Sequence, residues 1–189
     1  PVNKVIISHG HADHSKYGHK NYLTHHYNVP IVKHRLGKIT IEGKEWGEKF
    51  FINGVQFSLH PAGHIIGSSQ VRLEYKDEIW VYSGDYKREF DGITTPFELV
   101  KCHTFITECT FGLPAFKWKN QALVFEEINN FWNDCRNNNQ TAIVFAYSLG
   151  KAQRLIANIS SEIGKIYTHG AVENTVSYTH LTLPTTYTV

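Results

Sequence analysis

Within six positions, His9-Gly10-His11-Ala12-Asp13-His14 sets three imidazoles and one carboxylate, all side chains that bind borderline divalent metals through nitrogen or oxygen. In extended chain His9 and His11 point the same way and can grip one ion. Asp13 and His14, at the start of a following helical turn, can face a second. A lone histidine reads as a surface or hydrogen-bonded group, but four ligand-type residues at this density read as a metal site. His64, in Pro61-Ala62-Gly63-His64-Ile65-Ile66-Gly67-Ser68, adds a third nitrogen on a connection between two strands. Asp85 follows a strand in Ser83-Gly84-Asp85 and offers two oxygens, which can bridge two cations as an imidazole cannot.

The chemistry of such a pair is specific. A water shared by two zinc ions loses a proton near neutral pH, giving a hydroxide aimed at an electrophilic phosphorus or carbonyl. The same ions neutralise charge on the attacked and leaving oxygens, so no Ser or Cys nucleophile is required.

These ligands must be held by the ends of buried elements. Val5-Ile6-Ile7 is a β-branched run that stops at Ser8, immediately before the histidine cluster. The pattern then predicts a helix from Ser15 to about Tyr27 and a strand at Val29-Pro30-Ile31-Val32. Antiparallel, half-buried strands are predicted over Phe50 to Leu59, Ser69 to Tyr75 and Glu78 to Tyr82, and one more strand over Thr104 to Thr107, ending at Glu108. Helical spacing of Leu123, Phe125, Ile128, Phe131 and Trp132 predicts a helix from Gln121 to Cys135, with the aromatics as core. A buried strand at Ala142 to Ala146 and a helix over Lys151 to Ile163 follow. The expected class is α/β.

Bulk properties exclude several alternatives. No apolar run is long enough to cross a bilayer, and no export signal is recognisable. A net charge of +2 and pI near 8.5 do not announce a nucleic-acid binder. The three cysteines are odd in number and lack C-x-x-C pairing, which argues against a disulfide framework and makes a reducing cytoplasm the default. Of the twelve histidines, His19, His25, His26 and His34 read as surface groups or supports for the ligands. Gly150-Lys151 lacks the upstream glycine of a nucleotide-binding loop, although a helix start carrying Lys151 and Arg154 could hold a backbone phosphate. Residues 176–189 carry no charged side chain and resemble a translated cloning adaptor, so they are set aside as a non-native tail.

The set His9 to His14, His64 and Asp85 resembles the metallo-β-lactamase superfamily. That resemblance implies an αββα sandwich in which one zinc takes His9, His11 and His64, a second takes Asp13 and His14, and Asp85 bridges. Ile106-Thr107-Glu108-Cys109-Thr110-Phe111-Gly112 and Phe145 to Arg154 are similar to the opening of the β-CASP region of nucleic-acid-processing members, where the acid at Glu108 helps position a proton-donating histidine. Within that group, His9 to Ser15, Ala62 to Ser68, Glu108 to Pro114 and His169 to Asn174 resemble bacterial ligase-associated DNA exonucleases.

The resemblance implies a domain plan of residues 1–110 as the metallo-β-lactamase core, with its first strands missing, and 111–175 as a partial β-CASP region. It implies a nuclease with Asp13, Asp85 and Glu108 as catalytic carboxylates, two Zn2+ with Mn2+ as the alternative metal, and Lys151 and Arg154 on the substrate. DNA is the expected substrate, in repair or end processing beside an ATP-dependent DNA ligase and a helicase. An RNA-processing β-CASP nuclease and a thioester or lactone hydrolase of the glyoxalase type are the alternatives. The family's early acid would precede Pro1 and its late histidines would follow Asn174, so a weakened second zinc site and little turnover are expected of this stretch alone.

Overall fold

The computed structural model describes the backbone of residues 1–178 and 186–188 and the side chains of residues 1–175; most of the 176–189 segment read as a non-native tail lies outside the described residues. The chain divides into two compact units, Pro1–Phe90 with Thr94–Cys109, and Asp91–Ile93 with Thr110–Val189. Both mix helix and strand, so the α/β expectation holds. Among the described residues no helix is long and apolar enough to cross a membrane.

The first unit contains two sheets. Strands β1 (Lys4–Ile6), β2 (Asn21–His25) and β3 (Ile41–Lys44) form a parallel sheet in that order, and helix α1 (Val29–Leu36) joins β2 to β3. Strands β4 (Phe50–Ile52), β5 (Val55–Pro61), β6 (Ser69–Tyr75) and β7 (Glu78–Tyr82) form an antiparallel meander, and β8 (Thr104–Ile106) adds to β7 in parallel. Asn53 and Gly54, both at positive φ, make the tight β4–β5 turn that matches strand twist.

Two apolar clusters fix the layers. Leu23 of β2 meets Phe50, Leu59 and Val71 of the larger sheet, with Ile6, Phe57 and Leu73 packed around them. On the other face of the small sheet, Ile7 and Tyr22 meet Val32 of α1, with Leu36 and Ile41 alongside. The order is therefore helix, sheet, sheet. Leu23, Leu59 and Val32 are almost fully buried, each contributing about 1.5–3 kcal/mol of transfer free energy. One end of the far face of the large sheet meets the segment after β7: Gln70 Nε2 donates to the carbonyls of Pro61 (2.9 Å) and Glu98 (2.7 Å), and Tyr86 packs on Phe97.

Two elements exchange the types expected from the sequence. The stretch predicted helical contains strand β2, and the run predicted to be a strand is helix α1. Tyr22 to His25 are buried on both faces because β2 is the central strand of its sheet, so no polar–apolar alternation marks it. Pro30 sits in the first turn of α1, where its missing N–H costs nothing, and Ile31 and Val32 supply the buried face.

In the second unit, α2 (Gln121–Asn137) starts at Asn120, whose Oδ1 accepts from the Ala122 amide at 2.9 Å. Helix α3 (Lys151–Asn158) stops short of Ile163 because Ile159 is extended. β9 (Ile166–Thr168), α4 (Gly170–Tyr178) and β10 (Thr186–Thr188) follow, with β10 parallel to β9. Gln153, 1% exposed, ties α3 inward by donating to the Ser148 carbonyl (2.7 Å) and Thr175 Oγ1 (2.8 Å). The expected buried strand at 142–146 is not formed: among the described residues no strand pairs with it, and Phe145 is 94% exposed. Of the aromatics read as helix core, Phe125 is buried and Trp132 partly so, whereas Phe131 is half exposed.

Candidate metal centre

Strand direction assembles the site. β5 and β7 both run antiparallel to β6 and β8 runs parallel to β7, so the C-terminal ends of β5, β7 and β8 share one edge of the large sheet. From those ends come His64, Asp85 and Glu108. The Ser69 amide, at the start of β6, donates to the Ser8 carbonyl at 2.8 Å, which brings the exit of β1, and with it His9 to His14, to the same edge.

Each ligand loop is held by local chemistry. After His11 the chain makes a single turn: the Ser15 amide and hydroxyl both donate to the His11 carbonyl (3.0 and 2.8 Å), as does the His14 amide (3.2 Å). The helix predicted to begin here does not continue. Arg35 Nε of α1 donates to the Gly10 carbonyl at 2.7 Å. The His64 loop closes through Ser68, whose Oγ accepts from the amides of His64 (3.0 Å) and Ile65 (3.2 Å). Gly63 adopts φ +72°, and a Cβ there would lie 2.2 Å from the Lys87 carbonyl oxygen. Gly84, at φ +57°, passes close to Ser8, where a Cβ would lie 2.9 Å from the Ser8 Cβ. Side chains at either position would push the ligand beside it out of place.

Four of the six expected ligands form one cluster: one donor atom each from His9, His11, His64 and Asp85 lie within 4.8 Å of one another. His11 Nδ1 is 3.0 Å from His9 Nε2 and 3.2 Å from His64 Nε2. That nitrogen carries a single in-plane lone pair or a single proton, so it can satisfy only one of the two neighbours. A cation among the three removes the conflict. Two nitrogens on a tetrahedral zinc are about 3.3 Å apart, so the donor set fits an ion of that size. Asp85 Oδ2 lies 3.7 Å from His9 Nε2 and 3.8 Å from His64 Nε2, while its Oδ1 lies 3.2 Å from His14 Nε2. The two oxygens thus face two different histidine groups. Asp13 is 3.5 Å from His14 and its side chain is 77% exposed, outside the tight cluster.

The electrostatics suit metal binding. Burial, reinforced by His64, His14 and His11, pushes the His9 pKa down to about 2, so this imidazole is neutral with a lone pair to give. Burial raises the Asp85 carboxyl above the usual range; Glu108 and Asp13 add to the shift, opposed by His14 and His11. Carboxylates crowded this way await a counter-charge.

Relatives of the chain carry names consistent with this centre. A "Probable DNA ligase" of Opitutus terrae is 30% identical over 162 residues, covering 84% of this chain and 16% of that protein. An "RNase J-like protein" of Methanocaldococcus jannaschii is 26% identical over 208 residues, covering 90% and 48%. An "Endoribonuclease ysh1" of Aspergillus fumigatus is 29% identical over 121 residues, covering 61% and 13%. The chain belongs to the β-CASP family of metallo-β-lactamase-fold nucleases. It spans less than half the length of these relatives. No protein-family profile matches it. A crystal structure of a protein of unknown function from Enterococcus faecalis V583 superimposes with a TM-score of 0.58 at 12% identity, over 93% of this chain and 48% of that one, which supports the fold.

Seen as a β-CASP chain, the remaining expected residues separate. Glu108 reaches the metal edge: its amide donates to Ser83 Oγ at 3.3 Å, and its charge acts on Asp85. Lys151 and Arg154 lie in the second unit. The Lys151 ammonium sits 5.0 Å from the Tyr147 ring centre. Arg154 Nε donates to Gln121 Oε1 at 2.7 Å, and its guanidinium lies over Phe125, so it packs α3 on α2. Sequence reasoning missed Ser8, whose Oγ meets His9 Nδ1 at 3.2 Å and so orients the ring and aims Nε2 at the cluster. Its position directly before the first histidine was the available signal. The anchoring role of Arg35 had none.

Proposed function

We propose that this chain carries the metal centre of a phosphodiester hydrolase acting on nucleic acid, with DNA ends as the leading substrate. The observation that carries the reading is the convergence of His9, His11, His64 and Asp85, with the second Asp85 oxygen turned to His14. His9, His11 and His64 would hold one Zn2+, Asp13 and His14 a second, and Asp85 both, with Mn2+ as an alternative. A divalent pair held there supplies a water that is deprotonated near neutral pH and neutralises charge on phosphate oxygens. The protein's own part is to keep the buried His9 imidazole neutral and to hold the rings in place, His9 through Ser8 and the His64 loop through Ser68. Glu108 is the acid that helps position a proton donor. Lys151, exposed at the start of α3, and Arg154 are assigned to backbone phosphates.

Residues 1–110 constitute the metallo-β-lactamase core in this reading and 111–175 the start of the β-CASP region. The DNA assignment, with a ligase and a helicase as partners in repair, draws support from the ligase-named relative; the cytoplasmic assignment draws on Cys102, Cys109 and Cys135 all being free thiols. An RNA substrate is favoured instead by the names "Endoribonuclease ysh1" and "RNase J-like protein". Helices α2 and α3, where a glyoxalase-type hydrolase has no cap, count against a small-molecule substrate.

The test is digestion of matched end-labelled DNA and RNA by the zinc- or manganese-loaded full-length protein that carries this stretch. Shortening of DNA in preference to RNA is expected, and Asp85→Ala should abolish it. Undiminished cleavage by Asp85→Ala would overturn the mechanism, and preferential cleavage of RNA would reverse the substrate assignment.

A further inference from the structure

A second group of ligand-type side chains lies away from the residues of this centre. His25 ends β2, His26 opens the 3-10 turn that follows, and Glu45 comes directly after β3. The parallel register pairs His25 with Lys44, which brings Glu45 alongside the two histidines. One donor atom from each of the three lies within 4.8 Å of the others.

Two features of this group are costly without a ligand, and a third fixes its geometry. His25 is fully buried, yet its Nε2 has no hydrogen-bond partner, while Nδ1 receives only a long 3.3 Å contact from the Tyr27 amide. A buried polar atom left unsatisfied costs about 1–3 kcal/mol. His26 Nδ1 pairs with Glu45 Oε2 at 3.0 Å but makes no hydrogen bond. That separation is also compatible with two ligands of a common centre, since oxygen and nitrogen on one tetrahedral zinc sit about 3.3 Å apart. Finally, the His25 ring stacks on Trp46 with centroids 3.4 Å apart and an interplanar angle of 8°, which fixes the plane in which its nitrogens lie.

The charges around the group leave Glu45 available. Lys44, the nearest cation in sequence, is engaged by Glu42 at 2.8 Å and Glu48 at 2.7 Å. Burial, then the neighbouring His26, lowers the His25 pKa to about 3, so its imidazole is neutral at pH 7.

We propose that His25, His26 and Glu45 form a separate binding site for a borderline divalent cation of the zinc type, clipping the end of β2 to the end of β3. Two imidazoles and one carboxylate select Zn2+, Co2+ or Cu2+ over Mg2+ or Ca2+, which prefer all-oxygen sites. The site shares no ligand with the centre described above and does not depend on the nuclease reading.

The test uses the whole chain with His11→Ala and Asp85→Asn, which disable the first centre. This variant should still bind Co2+ or Zn2+ in competition with a chromophoric chelator, with His-type Co2+ absorption bands and quenching of Trp46 fluorescence by Co2+. Adding His26→Gln and Glu45→Gln should weaken that binding at least tenfold while leaving the melting temperature of the metal-free protein unchanged. Glu45 is exposed and His26 partly so, so the fold tolerates both changes. Unaltered affinity in the quadruple variant, or no binding by the double variant, overturns the proposal.

Discussion

The sharpest test of the architecture is Gly63→Ala. Gly63 precedes His64 and sits at φ +72°, a region where an L-residue costs roughly 1–2 kcal/mol. A Cβ there would also lie 2.2 Å from the Lys87 carbonyl oxygen and 3.1 Å from the Phe97 amide nitrogen. Both obstacles are backbone, and Lys87 is fixed because its amide donates to the Ala62 carbonyl at 2.9 Å. The clash is thus relieved only by moving the loop that carries His64.

Gly54 provides the control. Its φ is +82°, but nothing lies within 4 Å of a Cβ built on it. Gly54→Ala should therefore cost the conformational term alone, about 1–2 kcal/mol, and leave zinc affinity unchanged. Gly63→Ala should cost that amount plus at least about 1–3 kcal/mol of overpacking, with zinc affinity down tenfold or more as His64 leaves the cluster. Urea unfolding gives the first quantity and chelator competition the second. Equal destabilisation by the two substitutions, with zinc affinity intact in both, would refute the claim that a backbone close approach positions His64.

Two further outcomes follow from burial and packing. In chelator-treated protein, His9 and His25 have folded pKa values of about 2 and about 3 against 6.5 for the free side chain; the unfolded chain binds the extra protons, so stability should be intact above pH 6.5 and fall as pH drops below it. At pH 4.5 each group accounts for at most about 2–3 kcal/mol, and urea midpoints that do not move between pH 7 and 4.5 would contradict it. In the second unit, Arg154→Ala should lower stability by about 1–2 kcal/mol through loss of its bond to Gln121 and its contact with Phe125, whereas Lys151→Ala should leave stability unchanged and reduce the salt slope of nucleic-acid binding by about one. An equal loss of stability from both would show that Lys151 is also structural.

How much of this was legible in the sequence depends on where each element lies. β6 and β7 are read correctly to the residue because a meander strand with one strongly covered face alternates. β2 and α1 are read as each other because β2 is central in a parallel sheet, and its buried Thr24 and His25 look like surface residues until their partners are known. The Thr24 hydroxyl donates to the Ile7 carbonyl at 2.8 Å and accepts from Asn28 Nδ2 at 2.8 Å, contacts that span up to seventeen positions and leave no local trace. His9 to His14 are legible because a single turn contains them; His64 and Asp85 because glycines flank them; His25 reads as a surface or supporting group because only its tertiary surroundings bury it.

The placement of the ligands also determines how folding and metal binding are linked. His9, His64 and Asp85 follow strands of two different sheets, and they meet only when β5, β7 and β8 run the same way and Ser69 has bonded to Ser8. An unfolded chain cannot present the three together, so any ion bound at the centre favours the folded state almost in full. The converse also holds. With the ion absent, the His11 nitrogen caught between His9 and His64, and the charges of Glu108 and Asp13 acting on the half-buried Asp85, store a repulsion that the two apolar clusters must overcome. The core around Leu23, Leu59 and Val71 is therefore what keeps the ligands gathered before a cation arrives, and a cavity cut there should weaken metal binding without touching any ligand.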